Sequence, residues 1–323
     1  MMKDVLMSHG DDGGPPQGWP VVRYRFVFET ETLIHLPDYA GSMLRGAFGR
    51  ALRRTACMTR EPDCRGCPLY ATCPYAAIFE APPPAAHALQ NFSNIPNPYV
   101  IEPPPWGRRL YQPGEAIVFH MVLFGQALNK LALVVYAWQR AFQYEVGGGT
   151  AALVDVVRVG PDGEEAVFDT LKGRMRDHEQ TLPLPQTAPG GEVRLAVLTP
   201  LRLQNNGRAL EPEEMTARVF LMALVRRLSL LAEFHAGFVP GYPFREMGEL
   251  AAGVSFAGAL KWVYWERYSS RQQRKMTPNG LVGTVRLSGV PEMFGLPLYL
   301  GQWLHVGKNA TFGLGGYTLE DGP

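Results

Sequence analysis

The order of strand-like and helix-like hydrophobic patterns repeats once along this chain, and that repeat constrains the fold more than any other feature. In the first half, a β-branched and aromatic strand pattern over 21–30 precedes a helical pattern over 38–54. Strand patterns over 116–125 and 151–160 then enclose a helical pattern over 126–145. With one further strand allowed before residue 116, this half reads as a βαββαβ unit.

The second half starts the same pattern again. A strand over 192–200 is followed by a long helix over 213–237 and by two strands or a hairpin within 260–289. A short helix over 297–306 and a last strand over 315–320 complete it. Two consecutive βαββαβ halves predict an α+β protein made of tandem ferredoxin-like (RRM-like) domains, each with helices on one face of an antiparallel sheet.

A chain of 323 residues is long enough for two such domains. The expected division is a disordered start, an N-terminal ferredoxin-like domain with a Cys-rich insertion, a polar linker, and a C-terminal ferredoxin-like domain with a Gly-rich loop. These parts span 1–18, 19–160 with the insertion at 57–80, 161–191, and 192–323 with the loop at 305–316. Apolar runs such as Leu131–Trp138 are too short to cross a bilayer, and the N-terminus lacks the apolar core of a signal peptide. We therefore expect a cytoplasmic protein that makes no membrane contact.

The chain is nearly neutral, with 31 basic and 30 acidic residues. Any contact with nucleic acid must therefore come from local clusters of basic residues. Two such clusters lie in the first helix, over 45–54, and in RYSSRQQRK, over 267–275. The second cluster adjoins several aromatic residues and is predicted to form a β-hairpin with a turn at Thr277–Gly280. Arginine beside aromatic rings suits RNA, although a solvated basic hairpin with a buried aromatic face is the alternative.

The first helix, with Asp38 as its expected N-cap, carries two glycines, Gly46 and Gly49, on one stripe. Glycine inside a helix costs roughly 1 kcal/mol relative to alanine, so these glycines predict a close approach. Tight packing and the backbone approach of a ligand are both open as explanations.

All four cysteines lie in one stretch with the spacing C-x6-C-x2-C-x5-C, at Cys57, Cys64, Cys67 and Cys73. In a cytoplasmic chain, four clustered cysteines favour a metal over disulfides. Four thiolates satisfy a tetrahedral structural zinc site and would close a loop too short to hold itself by a core. The prolines after Cys67 and Cys73 leave an iron–sulfur cluster as an alternative, with unligated thiols as a third.

The segment HVGKNATFGLGGY, His305 to Tyr317, is rich in glycine but is not a nucleotide loop. A P-loop requires G-x4-G-K-[ST] ahead of a helix, whereas Asn309 follows Lys308 and only a strand is predicted after the loop. A dinucleotide fingerprint would open an early βαβ unit. The remaining interpretation is a loop whose glycines let a phosphodiester backbone approach main-chain N–H groups, with Lys308 supplying a positive charge.

Several segments taken in order resemble one family. The segments are LPDYAGSMLRGAFGRALRR, CRGCP, LTPLRL, ALVRRLSLLAEFHAG, LKWVYWERYSSRQQRKM, GLVG and LGQWLHVGKNATFGLGGY. Together they are similar to the CRISPR repeat-processing endoribonucleases, the sixth Cas protein family, in a variant with a cysteine insertion. That family belongs to the RAMP superfamily of tandem ferredoxin-like proteins with a C-terminal Gly-rich loop. The resemblance runs from about Val21 to Leu319, and WERYSSRQ and HVGKNATFGLG are its most specific segments.

The resemblance implies cleavage of precursor CRISPR RNA within each repeat, without a catalytic metal. The ribose 2′-hydroxyl would attack the adjacent phosphate and leave a cyclic phosphate and a free 5′-hydroxyl. Such a reaction needs a base, an acid and a cation, for which histidine and lysine or arginine are suited. The implied partners are CRISPR repeat RNA and other Cas effector subunits. The alternative is a RAMP subunit that holds the crRNA in an effector complex without cutting it.

Candidate site residues follow from these patterns. His35 stands just before the first helix, near which the family often places its catalytic histidine, although residues 38–54 contain no histidine. A strand-end histidine that caps the turn is the alternative for His35, and His235 and His120 are expected to be structural. The catalytic candidates are His35, Tyr39, His305 and Lys308. The RNA-binding candidates are Arg45, Arg50, Arg53, Lys261, Arg267, Tyr268, Arg271, Arg274, Lys275, Gly307, Lys308, Asn309, Gly313 and Gly315.

Overall fold

The computed structural model describes residues 18–83, 95–107, 109–205, 207–264, 267–269, 274–276 and 279–320. The expectation of a disordered start concerns residues that lie, except for Gly18, outside this described part. Contacts divide the chain into two compact units. One comprises Pro20–Leu182 with Phe234–Ala236, and the other comprises Pro183–Glu233 and Gly237–Pro323 together with the residues through Trp19. We call these the N-terminal and the C-terminal unit.

The N-terminal unit is a five-stranded antiparallel sheet with helices. Its elements are β1 (Val21–Thr30), α1 (Gly41–Ala56), α2 (Pro74–Phe79), β2 (Tyr99–Glu102), β3 (Ala116–Phe124), α3 (Leu131–Tyr144), β4 (Ala151–Gly160) and β5 (Gly163–Ala166). The strands are ordered β2-β3-β1-β4-β5. This order confirms the ferredoxin-like topology, since the first strand lies between the third and the fourth strand of the βαββαβ motif.

Alternation along β1 explains why this sheet forms. Tyr24, Phe26 and Phe28 are fully buried, whereas Arg23 and Arg25 on the opposite face are partly exposed. The buried rings pack against aromatic residues of β3 and α3: Phe28 stacks on Phe142 at a centroid distance of 4.1 Å, and Phe119 contacts Trp138 at 4.5 Å. Burial of such rings dominates the stability of a core of this kind.

The C-terminal unit repeats the topology. Its elements are β6 (Gly191–Leu201), α4 (Ala217–His235), α5 (Phe244–Ala252), β7 (Ser255–Tyr264), β8 (Asn279–Val290), α6 (Gly295–Leu304) and β9 (Tyr317–Glu320). The strands are ordered β7-β8-β6-β9, again with the first strand between the third and the fourth. The tandem ferredoxin-like fold predicted from the repeat is therefore present in both units. None of the helices in the described residues is long and apolar enough to cross a bilayer.

Two local expectations differ from the structure. Helix α1 begins at Gly41 with Ala40 as its N-cap, and the main-chain carbonyl of Asp38 accepts a 2.9 Å hydrogen bond from Gly107. Tyr264 pairs with Asn279, and Arg267–Ser269 pairs with Arg274–Met276 farther along the same hairpin. These pairings continue one register on both sides of 277–278, so the turn predicted at Thr277–Gly280 is not the end of this hairpin.

The segment 161–191, predicted as a linker, is largely folded onto the N-terminal unit. Strand β5 pairs with β4, and the short strands Phe168–Asp169 and Arg174–Met175 pair with each other. Val167 and Phe168 are buried in the core of this unit. His178 adds a polar contact, since its Nε2 lies 2.8 Å from the Tyr24 hydroxyl.

Candidate functional site

The Gly-rich loop, residues 305–316, runs from the end of α6 to β9 and is fastened to the end of β6. The Thr199 hydroxyl donates to the Gly313 carbonyl at 2.6 Å and accepts from the Gly316 amide at 2.8 Å. The Gly315 amide donates to the Pro200 carbonyl at 3.1 Å, and the Lys308 amide donates to the Arg202 carbonyl at 2.8 Å. These bonds make the loop a fixed part of the C-terminal unit.

Glycine is required in this loop for close packing of the backbone. Gly315 has φ +70°, and a Cβ there would lie 1.8 Å from the Val306 carbonyl oxygen. Gly307 has φ +89°, and its Cβ would lie 2.6 Å from the Arg202 carbonyl oxygen. The amides of Gly313 and Gly315 donate within the protein. The loop therefore uses these two donors to hold itself together, and RNA contact by Gly313 and Gly315 stays a prediction.

His305 lies inside the loop. It is 4% exposed and has a left-handed φ of +55° at the C-cap of α6. Its Nδ1 lies 3.2 Å from the Leu314 carbonyl oxygen, and its ring fills the space that a side chain at Gly316 would occupy. Within this unit His305 shapes the loop, whereas Lys308 and its neighbour Asn309 lie nearer the surface, Lys308 being exposed.

Arg227 of α4 also supports the loop, although the sequence analysis did not single it out. Its Nε donates a 2.8 Å hydrogen bond to the carbonyl of Leu304, the last residue of α6. Burial lowers the pKa of this guanidinium to about 10. The guanidinium thus supplies a hydrogen-bond donor to a carbonyl at the C-terminus of α6, immediately before His305. The dipeptide Arg226-Arg227 within an apolar helix was the signal in the sequence.

His35 lies on the other unit, in a short strand Ile34–Leu36 that pairs with Arg109–Tyr111. Its backbone amide donates to the Gly147 carbonyl at 2.9 Å, and Gly147, with φ +61°, packs directly against the His35 carbonyl. The backbone at His35 is therefore held in place while the side chain is exposed. Among the histidines of the described residues, His35 alone is exposed.

Tyr39 lies four residues after His35 and is 6% exposed. Its ring packs on Trp106 with a centroid distance of 4.9 Å. Burial, aided by the charge of Glu102, raises the pKa of the Tyr39 hydroxyl well above its ordinary value. The hydroxyl is therefore neutral at physiological pH and acts only as a hydrogen-bonding group.

The other described histidines have structural partners. His235 is buried, and its Nε2 lies 2.7 Å from the Pro96 carbonyl oxygen. His120 lies on the open face of the N-terminal sheet, opposite Arg25 and Glu102 in register, and not in the apolar core. Burial lowers the pKa of His120, opposed by Glu102. His9 and His87 lie outside the described residues.

The arginines of α1 do not share one environment. The Arg45 guanidinium lies 4.2 Å from the centre of the Phe79 ring, and Arg50 is exposed. Arg53 donates to the Pro62 carbonyl at 3.1 Å and to the Glu61 carbonyl, which directs it to the cysteine segment. The donors of Arg53 are thus used locally, and RNA contact by Arg45, Arg50 and Arg53 stays a prediction.

A neighbouring basic surface was missed by the sequence analysis. Arg54 of α1 and Arg140 of α3 both lie against the ring of Tyr144, at 5.1 and 4.7 Å from its centre. Tyr144 is 52% exposed, and neither α1 nor α3 contains an acidic residue. The absence of Asp and Glu from both helices was the available signal. We call Arg50, Arg54, Arg140 and Tyr144 the helical basic face.

Of the two glycines singled out in α1, Gly49 is explained by packing. A Cβ at Gly49 would lie 2.4 Å from the Phe79 ring of α2, so this glycine admits a neighbouring helix and not a ligand. At Gly46 the nearest atom is the end of the Arg50 side chain, at 3.4 Å.

The basic hairpin is only partly described. Lys261 is exposed on β7, and Tyr264 is 64% exposed. The Trp262 indole donates a 2.5 Å hydrogen bond to Glu211. The remaining candidates have side chains outside the described part of the chain: Arg267, Tyr268, Arg271, Arg274 and Lys275.

The four cysteines line a single cavity of about 260 Å³ between the end of α1 and the start of α2. Cys64 is buried, and the other three are half-buried. The Arg60 amide donates to Cys57 Sγ at 3.3 Å and thereby lowers the pKa of that thiol. Within the described residues, no group of three or more Cys, His, Asp or Glu side chains converges closely enough to hold a metal as it stands.

Two family models match the chain. Residues 19–180 match a model described as an N-terminal domain (AF_1859_N), and residues 195–317 match the model of the CRISPR-associated endoribonuclease Cas6. The second match contains the whole Gly-rich loop. No curated protein matches the chain significantly in sequence.

The fold is similar to those of solved Cas6 structures. A Cas6 product complex has 16% identity and a TM-score of 0.57, covering 93% of this chain and 100% of that chain. Thermus thermophilus Cas6 has 15% identity and a TM-score of 0.51, covering 93% and 98%. A partial Cas6-RT-Cas1–Cas2 complex has 13% identity and a TM-score of 0.53, covering 94% of this chain and 46% of that one. At these identities the similarity is one of fold.

Proposed function

We propose that this chain is a CRISPR-associated endoribonuclease like Cas6, whose family model matches residues 195–317, and that it cleaves precursor crRNA in the cytoplasm by a metal-independent reaction. The observation that carries the proposal is the match of residues 195–317 to the Cas6 model, which includes the loop anchored by Thr199. The substrate would be CRISPR repeat RNA, in keeping with the product complex among the similar structures. Other Cas proteins are further partners, as in the Cas6-RT-Cas1–Cas2 complex.

His35 is the group we assign to proton transfer. It is the one exposed histidine of the described residues, and its backbone is fixed by the contact with Gly147. The imidazole of His35 has a ring nitrogen that can accept the proton of the ribose 2′-hydroxyl. The 2′-oxygen then attacks the adjacent phosphorus, the bond to the 5′-oxygen breaks, and that oxygen leaves as a hydroxyl after it gains a proton. The products are a 2′,3′-cyclic phosphate and a free 5′-hydroxyl.

Lys308 is the cation we assign to the phosphate. Its backbone is tied to Arg202 by a 2.8 Å hydrogen bond, while its side chain is exposed at the tip of the loop. A fixed backbone with an exposed ammonium can stabilise negative charge that develops on phosphate oxygens. His305 supports this geometry from within the loop, and Tyr39 positions the segment that follows His35.

RNA binding is assigned to the basic hairpin and to the exposed lysines and arginines around it. Lys261 and Tyr264 are exposed on β7, where the hairpin leaves the sheet. The helical basic face adds arginines that have no acidic neighbour within their own helices. Contacts with phosphates give affinity without specificity for the RNA sequence, and exposed aromatic rings stack on unpaired bases.

Cleavage is tested with repeat RNA labelled at its 5′ end, in buffer that contains EDTA. We expect one specific cut and a product that ends in a cyclic phosphate, which acid opens to a monophosphate. The variant His35→Ala should lose at least 100-fold in cleavage rate, in line with the usual contribution of a general base of about 10²–10⁴, and should retain RNA affinity. His120→Ala is the matched control, since it removes another histidine of the same unit, and should cleave normally.

A second candidate function is a RAMP subunit that holds crRNA without cutting it. The observation that favours it is the burial of His305 together with the lack of any histidine in α1. Tight and specific binding of repeat RNA with no product in EDTA or in Mg²⁺ would support this function and reject the nuclease. Cleavage that persists in His35→Ala would reject only the assignment of the base.

A further inference from the structure

The segment that carries the cysteines joins two helices and has no regular structure of its own. Cys57 is the C-cap of α1, and Cys73 is the N-cap of α2. Between them the described backbone bonds are short-range turns, such as Cys67 N–H to the Cys64 carbonyl and Tyr70 N–H to the Cys67 carbonyl. A loop of this length without helix or strand is uncommon in a compact domain and is usually functional.

The thiols of this segment face a common space. All four line the 260 Å³ cavity, together with apolar side chains such as Leu69, Tyr70 and Ala76. Thiolates are the ligands that zinc prefers in structural sites, and four of them complete a tetrahedron. The donor set therefore fits zinc, although the thiols do not yet converge.

Arg53 contacts the backbone of the cysteine segment from α1. It lies one turn before Cys57 on α1, and its main-chain carbonyl accepts a 2.9 Å hydrogen bond from the Cys57 amide. Its guanidinium also donates to the main-chain carbonyls of Glu61 and Pro62, on the strand of chain between these two cysteines. Zinc bound by four thiolates carries a net charge of −2, so a guanidinium in this position offsets part of it.

We propose that Cys57, Cys64, Cys67 and Cys73 bind one zinc ion, and that Arg53 is the positioning residue that neutralises the site and holds the loop on α1. Binding releases the thiol protons and replaces local turns by a cross-link between the end of α1 and the start of α2. The ion thereby fixes α2, whose Phe79 packs on Gly49 and under Arg45. The inference is independent of the proposed nuclease activity.

Elemental analysis of the purified full chain is the first measurement, and we expect one zinc and no iron per chain. Replacement of zinc by Co²⁺ should give intense sulfur-to-cobalt charge-transfer absorption and tetrahedral d–d bands, which identify the ligands without any substitution. Cys67→Ser should lower the zinc content and weaken these bands. A folded wild-type chain that contains no zinc and takes up no Co²⁺ would overturn the proposal, as would iron with broad visible absorption near 400 nm, which marks a cluster.

The role of Arg53 is tested by the rate at which a chromogenic chelator removes zinc. Arg53→Gln should lower zinc affinity by about tenfold or more, the usual effect of losing a group that supports the metal ligands. Arg54→Gln is the matched control, because it removes the same charge from the next position, where the side chain lies on Tyr144. Equal zinc retention in the two variants would refute the assignment of Arg53 and would leave the cysteine site standing.

Discussion

Gly315→Ala is expected to destabilise the C-terminal unit, because the added methyl group clashes with the backbone of the Gly-rich loop. A methyl group there would lie 1.8 Å from the Val306 carbonyl oxygen, far inside contact distance, at a residue with φ +70°. The left-handed backbone costs a non-glycine residue about 1–2 kcal/mol. Displacing the Val306 carbonyl adds an overpacking cost of about 1–3 kcal/mol. It also weakens the 3.1 Å bond between the Val306 amide and the Gly315 carbonyl, which is worth about 1 kcal/mol.

Gly289→Ala is the control that separates these contributions. Gly289 lies in the same unit with φ +77°, but a Cβ there meets no atom within 4 Å. It therefore carries the backbone cost alone, about 1–2 kcal/mol. The Gly315 variant should be less stable than the Gly289 variant by about 2 kcal/mol or more.

Urea unfolding of the full chain, combined with hydrogen exchange of loop peptides, measures this difference. Because the chain has two units, the transition of the C-terminal unit must be resolved before free energies are compared. Amides of residues 306–316 should lose protection in Gly315→Ala and keep it in Gly289→Ala. Equal destabilisation by the two substitutions would refute the reasoning, since the clash would then contribute nothing.

Three further predictions concern other contacts. Gly49→Ala should lower stability by about 1–3 kcal/mol, because the new methyl group meets the Phe79 ring, and the added change Phe79→Leu should restore part of the loss in thermal unfolding. Thr199→Val removes a hydroxyl that bonds both Gly313 and Gly316 and should cost about 1–3 kcal/mol; unchanged exchange of the loop amides in this variant would contradict the anchoring role. Burial holds the pKa of His120 below its ordinary value of 6.5, so the neutral form is favoured in the folded state. Stability from this group is therefore present above pH 6.5 and is lost as the pH falls through the depressed pKa. His120→Gln should show a smaller drop in melting temperature between pH 7.5 and pH 5, and an identical drop would contradict it.

Much of the fold followed from short-range patterns. Alternation over residues 21–30 and 151–160 matched strands β1 and β4, because one face of each strand is buried and the side chains of a strand alternate. The repeat of βαββαβ order was sufficient for the topology of both sheets, since short connections and antiparallel pairing leave few arrangements. Val167 and Phe168 were hidden in a polar segment, so their burial against the N-terminal unit was not apparent.

The site was less accessible to sequence reasoning. The cysteine spacing by itself predicts a metal, because ligand type and number decide that chemistry, and this stays a prediction. Which histidine is exposed depends on the path of the chain around it, and only the tertiary structure buries His305 in its loop and leaves His35 at the surface. The same holds for Arg53, whose partners come from the turn that follows α1. The sequence by itself determined which residue types are available to the candidate site and the order of the strands and helices. Tertiary packing decided which hydrogen-bond donors are used inside the protein and which side chains face the solvent.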